Sequence, residues 1–315
     1  LLELVVLLDA PIKRLFSPVM EDSRLETQRG EANFHAILIG IESYADRPLK
    51  ACVGDVIAVS ERLEQTVRPI RTEKLLAPLG PLPQPYLSAG SGVLWPTYDN
   101  FTSALRLTIC AASAGDGVYI HYSGHGTKED KPQGEYSNML TGDLVLVLFE
   151  KEQESQPKYL WGTTLAHYLS VMVDKGLVVT LVLDCCFAAS VYRREGLELR
   201  SLPYDPNLDR RSGDDTLQLV GDFGRPLNNK ASSSRDISMQ PNWLLNADKH
   251  AILAACGPLE EAYEIELDDG RKHGALSYGL VRVLDAPEGP KRRHRDIFDQ
   301  LRALFLVKRM KLLAH

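Results

Sequence analysis

Two short stretches hold residues that could do chemistry together. "GVYIHYSGHG" (Gly117 to Gly126) breaks an apolar, strand-like run into Ser123-Gly124-His125-Gly126, leaving one histidine between two glycines. "VLDCCFAAS" (Val182 to Ser190) ends a second apolar run on Asp184 and the adjacent Cys185 and Cys186. A cysteine and a histidine are a nucleophile and its acid/base partner: the thiolate attacks a carbonyl carbon and the imidazolium protonates the leaving amine. Negative charge developing on the carbonyl oxygen needs fixed N–H donors, which Gly126 and the nucleophile's own backbone would supply. Glycines beside His125 strip the backbone around it, as expected where a peptide passes over the histidine. Each piece alone also has a plain structural reading, as a turn holding a histidine and as a pair of small buried hydrophobes. A dithiol redox site is a third reading, but the vicinal pair lacks C-x-x-C spacing.

The two stretches can meet only if the elements ending in them are neighbours. "FHAILIGI" (Phe34 to Ile41), Gly117 to Tyr122, "DLVLVLFE" (Asp143 to Glu150), "GLVVTLVLD" (Gly176 to Asp184) and "HAILAAC" (His250 to Cys256) read as buried strands. Between and after them, Gly54 to Val67, a stretch capped near Asp99 or Asn100 and stopped at Gly115, Thr164 to Asp174, "HGALSYGLVRVL" and "RDIFDQLRALFLVKRM" read as helices. This alternation predicts an α/β fold with a mostly parallel central sheet and helices on both faces. In such sheets ligands sit beyond the carboxyl ends of the strands, where both motifs fall.

The chain has 315 residues, a net charge of −6 and ordinary apolar and charged fractions, enough for one large domain. The expected division is an N-terminal helical extension over residues 1–30 and one domain over 31–315, with a long insertion at about 191–246. The acidic balance does not favour a nucleic-acid or anionic-membrane partner. No apolar run is long enough to span a bilayer. The opening segment reads as a helical packing element, and the start at Leu1 as that of an excerpt from something longer. Five cysteines, an odd number including a vicinal pair, suit a reducing, cytoplasmic compartment. No zinc spacing occurs, so no metal and no cofactor are expected.

In this order, "HAILIGIESY", "LKACVGD", "HYSGHG", "VVTLVLDCCFAAS" and "GALSYGLVRVL" resemble the caspase-like domain of metacaspases, the fungal branch in particular. The resemblance spans about residues 34–284 and implies the caspase-like fold, a polypeptide substrate and mostly monomeric relatives. It implies His125 as the catalytic histidine. It also implies Cys186 as the nucleophile rather than Cys185, since the family pattern is Asp-x-Cys. Asp184 and Asp55, with Ser123 nearby, are implied to line the pocket for the residue before the cut. Two carboxylates select a cation, arginine best because its planar fork pairs with both. Asp55 also has a plainer reading, as an acid at a helix N-terminus, over which the pocket role is favoured.

The family commonly continues the cysteine motif with Ser-Gly, where this chain has Ala188-Ala189; an inactive caspase-like scaffold is therefore the alternative reading. Calcium activation is implied only by the resemblance, and the spread acids of "TKEDKPQGEYSNMLTGD" assign no site. The 191–246 stretch offers Arg193, Arg194, Arg200, Arg210, Arg211, Arg225, Lys230 and Arg235. It is either a segment the enzyme cuts in itself after a basic residue or a solvated loop with ordinary charges.

Overall fold

Phe34–Ile41 is apolar at nearly every position, so neither side of it can face water, and its placement follows from that. In the computed structural model it is strand β2, every residue buried. Ile37, Ile39 and Ile41 pack into one core cluster, and Phe34, Ala36 and Leu38 into a second on the opposite face. The model describes residues 5–7, 32–82, 92–129, 144–149, 158–187, 198–208, 250–256, 261–266, 270–286 and 296–304.

The strands are β1 (Val5–Leu7), β2, β3 (Ile70–Ala77), β4 (Val93–Leu94), β5 (Gly117–Ser123), β6 (Gly126–Lys128), β7 (Leu144–Leu148), β8 (Lys158–Trp161), β9 (Val178–Asp184), β10 (Glu198–Leu199), β11 (Ala251–Ala254), β12 (Tyr263–Glu266) and β13 (Lys272–Gly274). The main sheet has seven strands in the order β1-β11-β9-β5-β2-β3-β4. All its pairings are parallel except β1 with β11. Two antiparallel three-stranded sheets, β6-β7-β8 and β10-β12-β13, stand beside it.

Helices α1 (Cys52–Thr66) and α4 (Ala275–Asp285) cover one face through Val56, Val59, Leu63, Leu276, Leu280 and Val283. The other face is covered by α2 (Tyr98–Ala111) and α3 (Gly162–Asp174), through Phe101, Leu105, Leu165, Leu169 and Met172. Residues 296–304 are also helical, burying Ile297 and Leu301 against the first pair. Each helix thus presents an apolar stripe at helical spacing to a sheet that is apolar on both sides.

Three expectations need correction, and one strand went unpredicted. Val5–Leu7, placed within a helical extension, is a strand; consecutive β-branched residues suit an edge position, and it completes the sheet beside β11. The rest of 1–30 lies outside the described residues. Helix α2 is capped by Thr97, whose hydroxyl accepts from the Asn100 N–H at 3.2 Å, rather than by Asp99 or Asn100. Strand β7 belongs to a side sheet rather than the parallel core. Strand β3 carries no clear strand signal in the sequence, because Arg71, Thr72, Glu73 and Lys74 are polar and only its last three residues are both apolar and buried.

Candidate active site

Strands β5 and β9 are parallel neighbours, paired from Gly117↔Val178 to Ser123↔Asp184. Both end at that last pair, so His125 and Cys186, two residues further along each chain, emerge at the same edge. The glycines around His125 have a more local reason than the passage of a peptide. A Cβ on Gly124 would lie 2.6 Å from the Tyr44 hydroxyl, and one on Gly126 would lie 2.5 Å from the Cys186 carbonyl oxygen. The two loops press together so closely that only glycine fits between them.

Across this edge runs the segment Glu198–Leu202. Its first two residues form β10 and pair antiparallel with β12, Glu198 opposite Glu264 and Leu199 opposite Tyr263. The Arg200 N–H donates to the Ala262 carbonyl at 2.9 Å. The Arg200 carbonyl oxygen then accepts from two backbone donors, Cys186 N–H at 3.1 Å and Gly126 N–H at 3.2 Å. Beyond it, Ser201 bridges to Gly126 and the Leu202 N–H donates to the Gly126 carbonyl at 3.0 Å. An extended chain is therefore held on both sides of the Arg200–Ser201 bond by strand-like pairing.

The Arg200 side chain is fully buried. Nη2 donates to Asp55 Oδ2 at 3.1 Å and to Glu264 Oε1 at 3.4 Å. Nη1 donates to Ser123 Oγ at 2.8 Å and to the Asp184 backbone carbonyl at 2.9 Å, and lies 3.2 Å from Asp184 Oδ1. The last is a charge contact rather than a hydrogen bond, since Oδ1 makes none. The carboxylates are themselves held. Asp55 accepts from Gly274 N–H at 2.7 Å and from His273 Nδ1–H at 3.2 Å; Asp184 Oδ2 accepts from the Ser277 N–H and hydroxyl; Glu264 accepts from the Lys50 and Ala51 N–H groups. Gly274 completes the wall, where any Cβ would collide with both Asp184 and Arg200.

Burial pushes the Asp55 carboxyl above its ordinary range, against the pull of His273 and Arg200. Burial also carries Glu264 up to about 7; Arg200 pulls it down, and Glu198 opposite adds to the rise. Such a pocket is costly without a cation and needs one to fill it.

His125 is buried, with its Nε2–H donating to the Arg47 carbonyl at 2.7 Å. A carbonyl can only accept, so the proton sits on Nε2, and Nδ1, which makes no hydrogen bond, carries the lone pair. Burial lowers the His125 pKa to about 4 despite that bond, so the ring is a neutral base near pH 7. Tyr44 fixes it: its hydroxyl accepts from the His125 N–H at 2.9 Å, and the rings are 4.4 Å apart between centroids.

The vicinal cysteines differ. Cys185 packs into the core cluster beneath α2 and α3, and burial raises its pKa well above the ordinary thiol value. Cys186 belongs to the opposite cluster. Burial alone would raise its thiol too, but hydrogen bonds with Cys256 and Ser201 outweigh that and leave it below the ordinary value. None of the five cysteines is in a disulfide.

The structure thus brings together His125, Cys186, Gly126, Asp55, Asp184 and Ser123 around Arg200. Sequence reasoning missed Glu264, His273, Gly274 and Ser277 as parts of the pocket, and Arg47 and Tyr44 as the supports of His125. Ala188 and Ala189, and residues 130–143 after the histidine motif, lie outside the described residues. Among the described residues no group of three or more His, Cys, Asp or Glu could hold a metal, and no helix is long and apolar enough to cross a membrane.

A family model for the metacaspase peptidase C14 domain matches residues 35–194. Metacaspase-1A of Neurospora crassa is 24% identical over 200 residues, covering 60% of this chain and 39% of the relative. Metacaspase-1 of Candida albicans is 24% identical, covering 68% and 50%, and metacaspase-1B of Aspergillus terreus is 23% identical, covering 85% and 70%. The chain therefore spans half or less of the length of the first two. A crystal structure of a Geobacter sulfurreducens protein shares the fold, with a TM-score of 0.50 and 18% identity over 85% of this chain and 88% of that one.

Proposed function

Since the chain belongs to the metacaspase family of C14 peptidases, we propose that it is a cysteine endopeptidase that cuts after arginine or lysine, and that its own Arg200–Ser201 bond is its first substrate. One observation carries this reading: the Arg200 carbonyl accepts from the Cys186 and Gly126 N–H groups while its guanidinium is buried against Asp55, Asp184 and Glu264. The first contact is what an oxyanion needs, and the second is what selects the residue before the cut.

In this mechanism Cys186 gives its proton to His125 Nδ1, and Sγ attacks the Arg200 carbonyl carbon. The tetrahedral oxygen takes its charge between the Gly126 and Cys186 N–H groups. The C–N bond to Ser201 then breaks, and the proton held on Nδ1 passes to the departing amine. Water, deprotonated by His125, cleaves the thioester, leaving a carboxylate on Arg200 and restoring the thiol. Throughout, the Arg47 carbonyl keeps the other ring proton on Nε2 and supports the imidazolium while it exists.

Arginine suits the pocket better than lysine because its two terminal nitrogens reach different acceptors: Nη2 meets Asp55 and Glu264, and Nη1 meets Ser123 and the Asp184 carbonyl. An aspartate in that position would bury a fourth carboxylate among three. The test is a pair of fluorogenic peptides ending in Arg and in Asp, with the Cys186→Ala variant as control. Cleavage after Arg that disappears in the variant is the expected result; cleavage after Asp would overturn the pocket, and folded protein that cuts neither would favour the scaffold.

A further inference from the structure

We propose that the enzyme selects an acidic side chain two residues before the arginine it cuts after, with Lys272 and Lys50 as the receptor for it; this rests on the reading of Arg200 as a bound substrate residue. The segment in the site supplies that residue as Glu198. Side chains of an extended strand alternate, so Glu198 and Arg200 project to the same side and Leu199 to the other, where it packs against the apolar cluster under α1 and α4. Glu198 Oε1 lies 2.7 Å from Lys272 Nζ and 3.2 Å from Lys50 Nζ.

The lysines come from unrelated places, Lys272 from β13 and Lys50 from the loop before α1, and they converge on this one carboxylate. Strand pairing does not explain a glutamate there. Its cross-strand partner on β12 is another acid, Glu264, and the two carboxyls share a hydrogen bond, which lowers the Glu198 pKa and raises that of Glu264. The two ammonium groups favour the ionised form of Glu198 and turn the position into one that takes a negative charge. Lysine presents a mobile point charge rather than a planar fork, so aspartate should serve as well as glutamate. The Lys272 side chain is 20% exposed and that of Lys50 56%, which makes Lys272 the stronger member.

Peptides Glu-Leu-Arg, Gln-Leu-Arg and Lys-Leu-Arg, each carrying the same fluorogenic leaving group, test this on the wild-type enzyme. The expected order of kcat/KM is Glu, Gln, Lys, with roughly three- to tenfold between the ends, expressed mainly in KM and shrinking in high salt. Lys272→Glu should reverse the order of the Glu and Lys peptides. Equal cleavage of all three, or preference for lysine, would overturn the acidic subsite while leaving cleavage after arginine intact. No cleavage of any arginine peptide by folded enzyme would remove the reading on which the subsite rests, and the subsite with it.

Discussion

The backbone N–H of Cys186 donates to the carbonyl oxygen of Arg200 at 3.1 Å. These residues are 14 apart in sequence, yet Arg200 meets the cysteine in extended form. The seat is made on three sides: β12 pairs with the segment before Arg200, Gly126 with the segment after it, and the acidic pocket closes over its side chain. On the proposed reading Arg200 is both a plug and a substrate, so its substitutions should affect stability and cleavage in different measure.

Arg200→Ala should leave Asp55, Asp184 and Glu264 buried without their counter-charge. The expected cost is about 3–5 kcal/mol of stability, read from urea denaturation, together with loss of cleavage at this site. Arg200→Lys restores a cation but not the two-handed contacts. It should recover most of the stability while cutting more slowly.

Glu264 should make the binding of arginine pH-dependent. Arg200 lowers the Glu264 pKa, so by linkage the ionised carboxylate favours the bound cation. KM for arginine peptides should therefore fall as pH rises through about 7, and Glu264→Gln should flatten that profile. Its contribution to stability has the opposite sense: the folded pKa lies above the ordinary value of 4.5, so stability present below that value is lost as pH rises through about 7.

His125 and the neighbouring buried His121 are both held neutral, each with its pKa lowered to about 4 by burial. The stability gained from keeping them neutral is present above pH 6.5 and disappears as pH falls through about 4. Nitrogen-detected imidazole NMR of the Cys186→Ala protein should show both rings neutral at pH 5.5, with the single ring proton of His125 on Nε2. A His125 titration near 6.5 would contradict the tight seating of its ring under Tyr44.

Gly126→Ala would place a Cβ 2.5 Å from the Cys186 carbonyl oxygen, so one loop must move. That movement carries away the Gly126 N–H donor. The expected loss is about 10²–10³ in kcat for arginine peptides, with KM much less affected.

The histidine and cysteine motifs were legible because each ends an apolar run that can only be a buried strand, and parallel strands of such a sheet end on one edge. The acidic pocket was legible in part. Asp55, Asp184 and Ser123 were implied by resemblance, while Glu264 sits in "EEAYEIELDD", where no single acid stands out from its neighbours. Its importance arises from β10 pairing with β12, a contact between two-residue and four-residue strands too short to leave a periodic signal. Arg200 was one of eight basic residues in an irregular stretch, and nothing in its local sequence marks it as the one whose side chain is buried; the other seven lie outside the described residues.

The most direct test of the central claim is the intact mass of the purified chain after incubation, set beside the Cys186→Ala variant treated the same way. Wild-type protein should yield two fragments whose masses place the break between Arg200 and Ser201, and the variant should stay whole. A wild-type chain that remains intact under every condition in which it cleaves arginine peptides, or that breaks at a different basic residue first, would contradict Arg200 as the first substrate.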